Sequence, residues 1–178
     1  IYFTMTVLEI ILLLIGKLPL FDAITLSVGT AGTGGFAILN SGIAEYSPYV
    51  QWVITVFMIM FGVDFSLYYL MLRREVKAAL SSLELRVYLS VIIISAFTIA
   101  FNCHGYFQTF GETIRHSFFQ VGSIITTTGY STTDFDLWPE LSKTILLMLM
   151  FMGACAGSTG GGIKVSRIII LLKSVVKE

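Results

Sequence analysis

The sequence predicts an all-α membrane protein built from two tandem units, each a helix, a re-entrant half-helix with an extended loop, and a second helix. Three observations predict it. Apolar residues make up 56% of the 178 and charged residues only 12%, where a soluble domain carries about 25% charge, so lipid is the expected solvent. Residues 50–72, 85–101 and 141–172 approach the roughly 20 apolar positions that a spanning helix needs. One order of segments also occurs twice along the chain, and internal repeats of this kind define an architecture.

The first unit covers residues 1–80 and the second 81–178. Residues 1–15 are apolar from the first position, as in a helix truncated at its start, so the chain is expected to be an internal or C-terminal piece of a longer protein, and the lack of a targeting signal carries no meaning. A short amphipathic segment follows at Leu20–Ala31, then Thr33-Gly34-Gly35-Phe36-Ala37, a polar loop and the long stretch 50–72. In the second unit the long stretch 85–101 precedes a short segment at 112–125, then Thr127-Thr128-Gly129-Tyr130-Ser131, a polar loop and the stretch 141–172. Setting Gly35 on Gly129 sets Phe36 on Tyr130 and Asn40 on Asp134. Tyr46, Tyr49 and Trp52 follow one loop and Trp138 the other, residues suited to the headgroup level.

Charge fixes the expected orientation. Of eleven Lys and Arg, Arg73, Arg74, Lys77 and Arg86 cluster between the units, and Lys164, Arg167, Lys173 and Lys177 lie near the C-terminus. The positive-inside rule makes the 73–86 loop and the C-terminus cytoplasmic. Asp22, Glu45, Glu112, Asp134, Asp136 and Glu140 then gather on the outer side, where they raise the local cation concentration or serve as ordinary solvated carboxylates. Between two cytoplasmic basic regions, one helix must rise and one descend. Each short segment is too short to span, so it has to dip into the membrane and return outward. Irregular backbone is tolerated there only if protein or a watery cavity covers it.

A dehydrated monovalent cation needs a cage of oxygens, which successive backbone carbonyls can supply. Glycine permits the dihedrals that turn several carbonyls to one side, and threonine adds a hydroxyl oxygen. A preceding half-helix points its negative end at the ion. The segment 127–131 is similar to the Thr-Val-Gly-Tyr-Gly strand of potassium channels, so the fold expected is of potassium-channel type, with filter residues Thr33, Gly34, Gly35, Phe36, Thr127, Thr128, Gly129 and Tyr130.

The chain resembles the Trk/Ktr/HKT superfamily of potassium transporters, most closely the bacterial Trk-type membrane subunit. The resemblance is carried by the segments 31–36, 61–69, 125–139 and 153–164. It implies the last two of four helix–pore loop–helix units around one pore, a transported potassium ion, no enzymatic activity and a multi-pass place in the bacterial inner membrane. The partners it implies are membrane lipid, the remaining two units, a second copy in a homodimer and a cytoplasmic nucleotide-binding regulatory subunit, with no nucleic acid. A sodium-permeable member of the same superfamily is the alternative. Where the family pattern more often has Asn, this chain has Asp64.

The final stretch is interrupted by Gly157, Ser158, Thr159, Gly160, Gly161 and Gly162. Glycine costs a helix about 1 kcal/mol relative to alanine, so the helix should open there. The resemblance implies an intramembrane gate at this run and places Arg167 in the ion path. Lys164 is read as a cation reaching back to the cytoplasmic surface. Glu9 lies inside the first apolar stretch and is expected to pair within the bundle, and Asp64 is expected to cap or pair near a helix end. An intramembrane serine protease is a remote reading, with Ser158 as nucleophile and His104 or His116 as base. Cys103 and Cys155 are too few for a disulfide framework and are expected to be small packing residues.

Overall fold

The computed structural model describes residues 1–177. The first unit comprises α1 (Tyr2–Ile15), α2 (Leu20–Ala31), α3 (Pro48–Phe61), α4 (Phe65–Leu72) and α5 (Val76–Leu80). The second comprises α6 (Leu83–Asn102), α7 (Phe110–Ile125), a single 3-10 turn at Phe135–Leu137, α8 (Glu140–Phe151) and α9 (Val165–Lys177). The side chains of residues 175–177 and all of Glu178 lie outside the described residues. The all-α fold expected from the sequence is thus the one observed.

Helix starts follow local capping chemistry. Ser47 accepts from Val50 N ahead of Pro48 at the first helical position, and Ser82 accepts from Leu85 N at the start of α6; each such cap contributes about 1 kcal/mol. Thr109 caps α7 by accepting from Glu112 N at 3.2 Å. The Thr-x-x-Glu spacing is that of a capping box, and it begins the helix at Phe110 rather than at the Glu112 expected from the apolar pattern.

Two long stretches are not continuous helices. The stretch 50–72 breaks after Phe61, and α3 and α4 meet at a bend of 92°. Gly62 lies against the Tyr88 hydroxyl, and Asp64 starts a new helix by accepting from Ser66 N at 2.8 Å. Asp64 is therefore the cap anticipated among its two expected roles. Among the described residues, only α6 is by itself long and apolar enough to cross a membrane. In the second unit α8 ends at Phe151, six residues before the expected glycine run. Gly153 is the cause: a β-carbon there would come within 2.1 Å of the Gly161 carbonyl oxygen, so the two backbones touch.

The half-helices lie at the centre. α7 packs against α6 and α3, and α2 against α1 and α3. Phe119 of α7 and Tyr130 join Leu13, Leu26, Ile54 and Met58 in one buried cluster that crosses between the units. Gln51 steadies the loop after the first half-helix by donating to the carbonyls of Ile43, Ala44 and Tyr46. Tyr46 donates to Asp22 at 3.1 Å; burial first, and then that carboxylate, push its phenol up to about 12, so it remains a donor at any ordinary pH.

Candidate functional site

Both half-helices end in the same way. Thr33 N donates to Thr30 O and Gly34 N to Gly29 O; Thr127 N donates to Ile124 O and Thr128 N to Ser123 O. This is the doubly bonded Schellman closure, repeated at the offset that sets Gly35 on Gly129. It requires a left-handed residue after the helix, ordinarily glycine. Threonine stands there twice, with φ of 49° at Thr33 and 58° at Thr127. A β-branched residue in that region is a true outlier, held at a cost of about 1–3 kcal/mol where a site demands it. Gly35 and Gly129 follow with φ of 67° and 87°. Each loop therefore alternates left-handed and ordinary backbone, and it runs irregularly rather than as a sheet-bonded strand.

The threonines earn their strained position through their hydroxyls. Thr33 Oγ1 donates to Thr159 O at 3.2 Å, and Thr127 Oγ1 accepts from Gly161 N at 2.7 Å. Both loops are thereby fastened, just past the ends of α2 and α7, to the glycine-rich run of the second unit. The close approach needs the glycines. A β-carbon on Gly161 would lie 3.2 Å from Thr127 Oγ1, and one on Gly160 would lie 3.2 Å from Thr126 O and 2.8 Å from the Ala154 Cβ. Thr128 turns inward to Thr126, hydroxyl to hydroxyl at 2.8 Å. The two loops also touch each other: a β-carbon on Gly35 would come within 2.0 Å of Thr128 O, and Ile43 N donates to Ser131 O at 2.9 Å.

Backbone groups freed by the broken helices find partners within this assembly, as burial in a membrane demands. Gly153 N donates to Ile163 O at 2.7 Å and Val165 N to Ala154 O at 3.3 Å, closing the neck of the loop. Cys155 N donates to Gly62 O and Phe65 N to Gly157 O, so the breaks of the two units hold one another. Lys164 Nζ donates to Gly160 O. The Lys164 ammonium thus satisfies a carbonyl of the glycine-rich run one turn back. Arg167 is exposed at the start of α9. Ser158 Oγ donates to Cys155 O, while His116 Nδ1 pairs with Thr132 Oγ1 at 2.8 Å. No Ser–His pair forms among the described residues, which removes the geometric basis for a protease.

One residue in this assembly escaped the sequence reading. Glu84, in the first turn of α6, accepts from Ala156 N at 2.7 Å and from Ser166 N at 3.3 Å through one oxygen. It clamps the run on both sides. A carboxylate near a helix start reads as an ordinary favourable charge at the dipole, so only its distant partners reveal it. Glu84→Ala leaves two donors without an acceptor, about 1–3 kcal/mol each. Amide exchange at Ala156 and Ser166 should accelerate by roughly 5- to 150-fold, while Glu84→Gln, which keeps the oxygen, stays near normal. Unchanged protection in Glu84→Ala would show that the clamp holds nothing.

The sequence profile of the TrkH family, described as cation transport protein, matches residues 1–178. The chain is 33% identical over 182 residues to the Trk system potassium uptake protein TrkH of Salmonella typhimurium, covering 100% of this chain and 38% of the relative. It is 34% identical over 171 residues to the Trk system potassium uptake protein TrkG of Escherichia coli K12, covering 90% of this chain and 34% of that one. The crystal structure of the potassium transporter TrkH from Vibrio parahaemolyticus superposes with a TM-score of 0.90 at 26% identity, over 98% of this chain and 39% of that one. The chain thus spans little more than a third of the length of these relatives.

Proposed function

The chain belongs to the TrkH family of cation transport proteins, and from that premise we propose that it forms two units of a potassium uptake pore. The observation that carries this reading is the pair of Schellman-closed loops of alternating handedness, packed against each other at the ends of two half-helices. Alternation of left-handed and ordinary residues turns successive carbonyls the same way, the arrangement that replaces a cation's hydration shell. With the threonine hydroxyls engaged elsewhere, the carbonyls of residues 33–36 and 127–130 are the ligands, and potassium is the cargo.

The run 157–162 is the gate in this reading. It is tied to both loops just past the ends of α2 and α7, it holds the Lys164 cation, and Arg167 follows on α9. Positive charges beside an ion path oppose cation flow, the more so where little water screens them. The protein crosses the bacterial inner membrane several times, with the filter loops outside and the 73–86 loop and C-terminus in the cytoplasm. Membrane lipid, further units of the same protein, a second copy and a cytoplasmic nucleotide-binding regulator complete the assembly.

Two measurements on the full-length protein test this. It should restore growth and rubidium uptake at low potassium to cells lacking their own potassium uptake systems, with sodium competing poorly; sodium uptake of equal rate would replace the potassium assignment with the sodium one. Cysteines placed at Ser47 and Leu137 should react with an impermeant reagent from outside, and one at Ser81 only from the cytoplasm. Labelling of the Ser47 and Ser81 positions from one face would overturn the re-entrant topology.

A further inference from the structure

Among the described residues two acidic or basic side chains are buried, Glu9 and His116. Neither carboxyl oxygen of Glu9 has a hydrogen-bond partner there, so the pairing expected for it within the bundle does not form among these residues. His116 of α7 is the opposite case, for both of its ring nitrogens are engaged. Nδ1 lies 2.8 Å from Thr132 Oγ1, and Nε2 lies 3.3 Å from Nη2 of Arg115. The imidazole stacks on Phe107, with centroids 4.8 Å apart and an interplanar angle of 21°. Phe107 in turn meets Trp138 at 88°. The ring is thus held in one orientation.

The proton can be placed from these partners. A guanidinium only donates, so the Nε2 that faces Arg115 accepts. The ring is then the neutral tautomer with its proton on Nδ1, and that N–H donates to Thr132 Oγ1. Both ends of the bond are buried, with His116 8% and Thr132 3% exposed, so a donor left alone there is costly. Setting Gly35 on Gly129, the register of the two units, also sets Asp22 on His116. Asp22 accepts from Tyr46 Oη at 3.1 Å, and Tyr46 lies in the loop that follows the first Thr/Gly segment. Each half-helix therefore ties its own outgoing loop from the same position. One unit does so with a carboxylate and a phenol, the other with an imidazole and a threonine.

We propose that His116 is a positioning residue for the second filter segment: as the Nδ1–H tautomer fixed by Arg115, it pins Thr132 to α7 and thereby aims the carbonyls that come just before. Thr132 stands one residue past the segment 127–131. Ser123 Oγ donates to Tyr130 O, and Ile43 N to Ser131 O, so residues 130, 131 and 132 are each held by one bond. Gly129 ahead of them has open space beside it beyond its immediate chain neighbours. Packing does not hold its carbonyl, and the bonds that follow it do. Release of Thr132 lets the end of the segment turn, and the error passes back to Gly129. This rests on reading 127–130 as a filter.

The test uses the full-length protein in liposomes, with potassium and sodium fluxes and thermal melting measured for the natural protein, Thr132→Val, Thr132→Ser, His116→Phe and the double variant Thr132→Val/His116→Phe. Thr132→Val keeps the shape and removes the acceptor, and it should lower the preference for potassium about tenfold. Thr132→Ser keeps the hydroxyl and should match the natural protein. His116→Phe keeps an aromatic ring against Phe107 without the donor and should lose a similar factor. The double variant should be no worse than either single one, the mark of one shared interaction. Nitrogen NMR of histidine-labelled protein should show at neutral pH an Nδ1-protonated imidazole that the His116→Phe spectrum lacks. A Thr132→Val protein that melts lower but stays as selective as the natural one would make the bond packing only and overturn the proposal. So would a Thr132→Ser protein as impaired as Thr132→Val, losses that multiply in the double variant, or an Nε2-protonated signal from His116. A natural protein that is unselective at neutral pH would instead remove the filter reading, and this inference with it.

Discussion

Gly35→Ala should abolish the preference for potassium over sodium, lowering it at least tenfold, and should do so by deforming the other unit's loop. Two physical terms act together. At φ of 67° an alanine is strained by about 1–2 kcal/mol. Its methyl group would also come within 2.0 Å of Thr128 O and 3.3 Å of the Gly129 carbonyl carbon, both backbone atoms that cannot swing aside as a side chain does. Thr128 is itself held by its N–H to Ser123 O and by its hydroxyl to Thr126, so the displacement passes into the second loop. Gly129→Ala differs in kind. Its φ of 87° imposes strain, but beyond its immediate chain neighbours no atom described here lies within 4 Å of the added carbon. Both substitutions should therefore impair selectivity, whereas only Gly35→Ala should also lower the thermal unfolding midpoint by several degrees. Competition of sodium against rubidium uptake gives the first quantity and melting in detergent the second. Natural selectivity in Gly35→Ala would sink the assignment of residues 33–36 to a filter wall.

Much of this arrangement is legible in the sequence. Leu20–Ala31 was delimited to the residue, because Pro19 before it and Gly32 after it punctuate the chain locally. The Thr/Gly segments stood out because they recur in matching places, a signal that survives even though the second helices of both units are broken. What could not be read has a common cause. The 92° turn after Phe61 depends on Tyr88, far along the chain, filling the space beside Gly62. The early end of α8 depends on Gly153 meeting Gly161. The role of Glu84 depends on two amides some 70 to 80 positions distant. Apolar periodicity reports which residues avoid water, and it carries no record of which backbone amide a distant oxygen will meet. The threonine hydroxyls show the same limit. Composition suggested that they face an ion, while the structure turns them to the glycine-rich run, a choice that depends on where that run lies.

That choice gives the remaining large effect. Thr127→Val preserves size and branching, and with them the cost of the left-handed position, but it removes the acceptor for Gly161 N. Gly161 is exposed in this chain, so the lost bond costs the net worth of an ordinary hydrogen bond, about 0.5–1.5 kcal/mol. The bond joins a moving element to a fixed one in the proposed gate, so the cost falls on the closed arrangement. An equilibrium altered by that amount shifts roughly 2- to 12-fold toward open. Thr127→Val should accordingly raise basal potassium flux through reconstituted protein by that order, and deletion of Gly160 and Gly161 should raise it further. Arg167→Ala, which removes a charge from α9, should act in the same direction with a smaller effect, since Arg167 is exposed and better screened. Sodium preference in the same assay separates gate from filter. If Thr127→Val raises both fluxes in proportion, the run 157–162 limits flow and the filter stands intact. If it raises sodium flux alone, the hydroxyl belongs to the filter after all. If neither flux changes, the bond to Gly161 is packing and the gate lies elsewhere in the protein.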